Sequence, residues 1–174
     1  KKLNPDTGML PNIRKNDDLN FLHKIYDNNP VFSTQYKDCR FGRLVHLTNH
    51  SQYIVNEKRN DYLPIYEGKF IEIYTGNYAT FKGMSVDEKY KSKAMALPIS
   101  DISGREYPEA RYYIKREVWD KLSKNFKNGY IVAWRSLTSS TNRRTMLATA
   151  LPLLPTCQSI QLLQLENTDD MIQI

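Results

Sequence analysis

Tyr62-Leu63-Pro64-Ile65-Tyr66-Glu67-Gly68-Lys69-Phe70-Ile71-Glu72-Ile73-Tyr74-Thr75-Gly76-Asn77-Tyr78-Ala79-Thr80-Phe81 decides how the chain reads. Three runs rich in β-branched and aromatic residues, LPIY, FIEIY and NYATF, are separated by Glu67-Gly68 and by Thr75-Gly76-Asn77. Aromatic and β-branched side chains suit a pleated, half-buried surface, and glycine with asparagine suits the turns between strands. The stretch therefore predicts three β segments at the heart of the protein.

Upstream, Arg40–Leu47 (RFGRLVHL) reads as a further strand and 49–60 as a polar loop. Before them, Leu19, Phe21, Leu22, Ile25 and Tyr26 recur at helical spacing behind Asn16-Asp17-Asp18. That pattern predicts a helix over about residues 17–27, stopped by Asn28-Asn29-Pro30. Residues 1–15 read as an extended lead-in. Downstream, residues 82–104 form a polar, Lys-rich connection. Arg111–Ile114 is a short strand, and Arg116–Asn125 a helix with Val118, Trp119 and Leu122 on one stripe. Asn128-Gly129 marks a turn before the strand Tyr130–Trp134. A hydroxyl- and Arg-rich loop, Ser136–Thr145, then precedes the apolar stretch Met146–Leu154. Strands outnumber helices without alternating with them. The expectation is a single α+β domain over 16–155, with a mixed or antiparallel sheet, a few flanking helices and a C-terminal segment 156–174.

The 174 residues carry a net charge of +6, and its distribution is uneven. Residues 105–150 hold ten basic and four acidic residues, which accounts for all of the excess, and 121–150 hold six Lys or Arg and no acid. A one-sided field of this kind points to a polyanionic partner. No apolar run reaches the roughly 18–20 residues that span a bilayer. Two separated cysteines, Cys39 and Cys157, favour a reducing, cytoplasmic setting over a disulfide scaffold. A start on Lys1 rather than Met, and an end in mid-pattern at Ile174, read as a piece of something longer.

The segment 134–145 (WRSLTSSTNRRT) places three arginines and six hydroxyl residues between two apolar strands. Guanidinium forks match phosphate oxygens or the edge of guanine, and hydroxyls add shorter donors. Tyr112 and Tyr113, inside the basic window, are candidate base-stacking faces. Other patterns are weaker. Asp61, Glu67 and Lys69 imitate a metal-dependent nuclease, in which two carboxylates hold Mg²⁺ and a lysine helps activate water. His46 and His50 stand four apart but on what reads as a strand end and loop, so no metal is assigned. Asn29-Pro30-Val31-Phe32 brushes against the (N/D)PP(Y/F) motif of amino-methyltransferases and fails at its third position. No Gly-rich methyl-donor loop accompanies it. No catalytic residue is assigned.

Taken in order, several of these segments resemble the region after the catalytic motifs in large adenine-specific DNA methyltransferases. These belong to type IIG restriction–modification and phage-exclusion systems, and the region is their target-recognition, TaqI-like specificity part. Tyr62–Phe81 is similar to the family's YLPLYEGKMIHQFDHRFATY. Arg111-Tyr112-Tyr113-Ile114 with Glu117-Val118 matches its RYW(V/I)…EV element. Trp134-Arg135, Leu137-Thr138, Thr141, Arg144-Thr145 and Leu151-Pro152 follow its WxxxxRD(I/L)…ERT…LP segment. The resemblance runs over about residues 8–155. Departures occur at Thr75-Gly76-Asn77, where the family has Asp-His-Arg, at Ser136, where it has Asp, and at Arg143, where it has an acid.

The resemblance implies a module that recognises double-stranded DNA without chemistry of its own. The parent would methylate adenine N6 in a separate methyltransferase domain that holds S-adenosylmethionine, possessing in some members an endonuclease activity as well. Lys121, Lys124, Lys127, Arg135, Arg143 and Arg144 would set the electrostatic footprint. Arg135, Thr141, Arg144 and Thr145 would contact base or phosphate, with Thr138 and Lys69 beside them. The competing reading is a structural module packed on the methyltransferase domain, its arginines satisfying internal carbonyls and carboxylates. Burial of Arg135 and Arg144 separates the two.

Overall fold

The computed structural model describes residues 8–98, 107–139 and 141–165. The chain falls into two compact units, Lys1–Cys39 and Arg40–Ile174. In the first, helix α1 (Asn16–Asn28) and the single turn α2 (Phe32–Gln35) frame Pro30. The Asp18 carboxylate accepts the backbone N–H groups of Arg14 and Lys15, so the acid within the expected cap tethers the approach to the helix. No residue of α1 is buried, and Phe21 is 64% exposed.

All the strands found among the described residues belong to the second unit, and the α+β class expected from the sequence is the class observed. In chain order they are β1 (Arg40–Gly42), β2 (Ile54–Val55), β3 (Tyr62–Pro64), β4 (Ala79–Thr80), β5 (Met95–Ala96), β6 (Tyr113–Lys115), β7 (Tyr130–Arg135), β8 (Ala148–Pro152) and β9 (Ile160–Gln164). Two helices join them, α3 (Val86–Lys91) and α4 (Arg116–Ser123). The main sheet runs β1-β9-β7-β8, a second runs β2-β6-β3, and β4 pairs with β5. Every strand pair is antiparallel.

Alternation along β7 and its partners sets the core. Ile131 and Ala133 on β7, Leu151 on β8, and Ile160 and Leu162 on β9 share one face and are all buried. Tyr66, Phe70 and Ile71, from the segment between β3 and β4, cover that face together with Phe81, just after β4. A second cluster gathers Val45, Ile65, Ile114, Trp119 and Cys157, with Val118 and Leu122 of α4 packed against it as the stripe predicts.

Three expectations are corrected. Arg40–Leu47 is a strand only over Arg40–Gly42. The run FIEIY is no strand: Gly68–Phe70 form a 3₁₀ turn, and Glu72 and Thr75 close a tight turn by exchanging backbone hydrogen bonds of 2.9 and 3.1 Å. Phe70 and Ile71 are both fully buried, so burial on both sides replaces the one-sided alternation of a strand. Finally, residues 156–165 do not lead away from the domain. They supply β9, an inner strand of the main sheet, while 166–174 lie outside the described residues.

Two glycines are required by close approach. A Cβ on Gly68 would stand 2.9 Å from the Ser159 carbonyl oxygen, and one on Gly76 would overlap Leu151 Cδ2. Burial pushes the Tyr66 and Tyr113 phenols and the Cys157 thiol above their ordinary values, with Tyr107 beside Tyr66 and Glu109 beside Tyr113 adding to the effect. Raised acids make folding favourable while they are neutral and oppose it once the unfolded chain ionises, from 9.0 for the thiol and 10.0 for the phenols. Stability is therefore expected to fall progressively as pH rises beyond that range. Urea midpoints near pH 7 and near pH 10.5 test this, and equal midpoints would contradict it.

Candidate nucleic-acid interface

The Glu67 carboxylate is 5% exposed and accepts two hydrogen bonds from Arg111, from Nε at 2.9 Å to Oε1 and from Nη2 at 2.8 Å to Oε2. Lys69 Nζ stands 3.4 Å from the same carboxylate and 5.0 Å from the centre of the Phe81 ring. The Arg111 guanidinium lies over Phe81 and Tyr112, at 5.6 and 5.1 Å. Burial alone would push Arg111 down, but the hydrogen bonds and charge of Glu67 outweigh it and hold the guanidinium above its ordinary value. A buried carboxylate met by a bidentate fork and a second cation is a neutralised internal cluster.

This geometry removes the nuclease reading. Glu67 is committed to Arg111 and Lys69, and Asp61 precedes β3 whereas Glu67 follows it. Among the described residues no group of three or more His, Cys, Asp or Glu could hold a metal ion. His50 Nδ1 accepts the His46 backbone N–H at 3.1 Å, a local loop contact. Lys69, expected beside the DNA contacts, pairs its ammonium with Glu67 while a third of its side chain stays exposed. Tyr113 is a core residue at 3% exposure, and Tyr112 is the partly buried platform under Arg111.

The Arg-rich segment is the β7–β8 hairpin loop, and its arginines divide. Arg135 Nε donates to the Ile71 carbonyl at 2.7 Å and Nη2 lies 3.5 Å from Glu72, with 21% of the side chain exposed. Arg135 is thus an internal strut, which corrects its expected place at the DNA. Arg143 and Arg144 are exposed, with no hydrogen bond or ion pair among the described residues. The loop has its own framework: Thr138 Oγ1 donates to the Thr145 carbonyl at 2.6 Å, and the Ser139 and Thr141 hydroxyls share a 2.7 Å hydrogen bond. Its base is bolted down by Ser136, whose N–H and hydroxyl donate to the Ser159 and Gln158 carbonyls, each at 2.9 Å. Thr138, Thr141 and Thr145 therefore shape the loop that presents Arg143 and Arg144.

The lysines are elsewhere. Lys121 is bound to Glu117 at 2.9 Å on α4; Lys124 and Lys127 are exposed just before β7. The six residues of β7 separate them from the loop by roughly 20 Å at about 3.3 Å per residue. The charge that is continuous in sequence is split between two ends of a strand.

One residue that sequence reasoning overlooks stands beside the hairpin. Tyr74 occupies the turn between Glu72 and Thr75 with φ of 65° and is 85% exposed. Its N–H donates to the Ala148 carbonyl at 3.3 Å, at the start of β8. A left-handed backbone costs a bulky residue about 1–2 kcal/mol. Leu137 and Met146, at either side of the loop, are 89% and 62% exposed. Nothing in the residue pattern marks Tyr74. The Glu67–Arg111 pair had a signal, since both residues lie in the segments 62–81 and 111–118 on which the sequence reading dwells.

Three variants separate these roles by stability. Arg111→Ala, which strips the buried Glu67 of its fork, is expected to cost about 3–5 kcal/mol. Arg135→Ala is expected to cost about 1–3 kcal/mol through the uncapped Ile71 carbonyl. Arg144→Ala should stay within about 0.5 kcal/mol. Denaturant titration reads all three, and an Arg135→Ala protein as stable as the parent chain would refute the strut.

No family model matches the chain, nor does any curated protein or solved structure with which it was compared.

Proposed function

We propose that the chain is a DNA-recognition module of an adenine-specific DNA methyltransferase of the type IIG or phage-exclusion kind, with no catalytic residues of its own. The observation that carries the reading is the presentation of Arg143 and Arg144: two exposed guanidinium groups on a hydroxyl-braced loop whose base is held from two sides. Loops mounted on a rigid scaffold place side chains for recognition at little ordering cost. Arginine forks suit phosphates and guanine edges alike.

S-adenosylmethionine is assigned to the parent's methyltransferase domain, as the resemblance implies. Among the described residues no helix is long and apolar enough to cross a membrane. The structural-module reading retains one specific support, the internal use of Arg135. The two readings thus apply to different arginines of one segment: Arg135 builds the platform, while Arg143 and Arg144 face the partner.

Fluorescence anisotropy with a labelled duplex tests the proposal. Binding is expected to weaken with salt at a log–log slope of about −0.9 per phosphate contacted. The Arg143→Ala/Arg144→Ala double variant should flatten that slope by roughly 2 and lower affinity without lowering thermal stability. Absence of binding at low ionic strength, or a double variant that binds like the parent chain, would overturn it.

A further inference from the structure

We propose that Tyr74 is a stacking residue for a base that has lost its pairing partner, so that the hairpin end of the second unit engages DNA at an unpaired or unstacked position. The inference rests on the DNA-recognition reading and adds to it a residue and a ligand class. Three independent features meet at this position. The Tyr74 side chain is 85% exposed although it is aromatic, so the fold does not use its apolar area. Its backbone is left-handed, a conformation that asparagine or glycine would adopt more readily, so local preference does not explain the tyrosine.

The turn that carries it is also rigid. Glu72 and Thr75 exchange backbone hydrogen bonds, Arg135 braces Ile71 and Glu72 from β7, and the Tyr74 N–H is joined to the Ala148 carbonyl of β8. Gly76 lies against Leu151 with no space for a side chain at its position, which keeps this end of the turn close to β8. An exposed, apolar ring is thereby held at the end of the sheet from which Arg143 and Arg144 project, with the exposed Leu137 and Met146 on the same hairpin.

Charge complementarity chooses the occupant. Two arginines with no acidic partner among the described residues, carried on the hairpin whose Ala148 carbonyl holds the Tyr74 N–H, combine with that exposed ring to suit a ligand that offers both a flat π-face and phosphates, which is a nucleotide in a strand. In a fully paired duplex the base faces are covered by their neighbours. A base at a bulge or opening presents one. Apolar side chains that enter such openings are a general means by which proteins hold distorted DNA.

The test uses the full chain and two short duplexes, alike except that one carries a single bulged adenine. The parent chain is expected to bind the bulged duplex about tenfold more tightly, the size of one base–aromatic stack. Tyr74→Asn, which tolerates the left-handed backbone, should keep thermal stability and affinity for the paired duplex while losing the preference. Tyr74→Trp should retain it. Equal binding of both duplexes by the parent chain, or a preference that survives in Tyr74→Asn, would overturn the stacking role while leaving DNA recognition in place. No binding to either duplex would overturn both. Tyr74-dependent sedimentation with anionic phosphatidylserine vesicles, without preference for the bulge, would assign the ring to a membrane surface instead.

Discussion

The buried Glu67–Arg111 pair is the interaction on which the second unit depends. Glu67 stands just beyond β3 and Arg111 just ahead of β6, so the ion pair closes the end of the β3–β6 ladder beyond the bond from the Ile65 N–H to the Tyr112 carbonyl. The neighbouring Tyr66 donates its N–H to the Pro155 carbonyl, and its own carbonyl accepts from Cys157. That short bridge ties the three-stranded sheet to the connection between β8 and β9. Gly68 then lets the chain approach Ser159 closely enough for its N–H to reach the serine hydroxyl at 2.8 Å. The charged pair thus stands where the two sheets are joined. Its cost of desolvation is offset by the bidentate geometry, by Lys69 and by the aromatic faces of Phe81 and Tyr112.

From this junction the arrangement of the hairpin end follows. Ser159 accepts the Ser136 N–H through its carbonyl, and Ile71, three residues past Gly68, accepts Arg135. The loop of residues 136–146 is consequently mounted on the same short segment that the ion pair stabilises. Arginine is used in two ways within ten residues of chain. Where a carbonyl and a carboxylate lie within reach, as at Arg135, the fork is consumed internally. Where the loop carries no carboxylate, as at Arg143 and Arg144, it faces solvent.

Much of the fold is legible in the residue pattern. α1 and α4 follow from the 3.6-residue recurrence of their apolar side chains, and β7 from its apolar run after Asn128-Gly129. The core membership of Tyr62–Phe81 is legible too, but its conformation is not. FIEIY has the composition of a strand, yet Phe70 and Ile71 are enclosed by the main sheet and the turn is set by Gly68 and by partners more than sixty positions away. β9 is invisible for a related reason: IQLLQ has no alternation to announce it, because an inner strand lies between two others and is covered along its length.

By itself, then, the sequence determined the α+β class, the location of most elements, the apolar positions of the core and the concentration of basic residues in 105–150, because each depends on local periodicity or on composition. Only the tertiary structure decided which charges are available. It neutralised Glu67 with Arg111 and Lys69, turned Arg135 inward, left Arg143 and Arg144 exposed, and set the lysines and the arginine loop at opposite ends of β7. It also lifted Tyr74 into solvent on a left-handed turn. The physical reason is that a side chain's availability depends on the groups brought beside it from distant positions, and a residue's own neighbours in sequence carry no record of them.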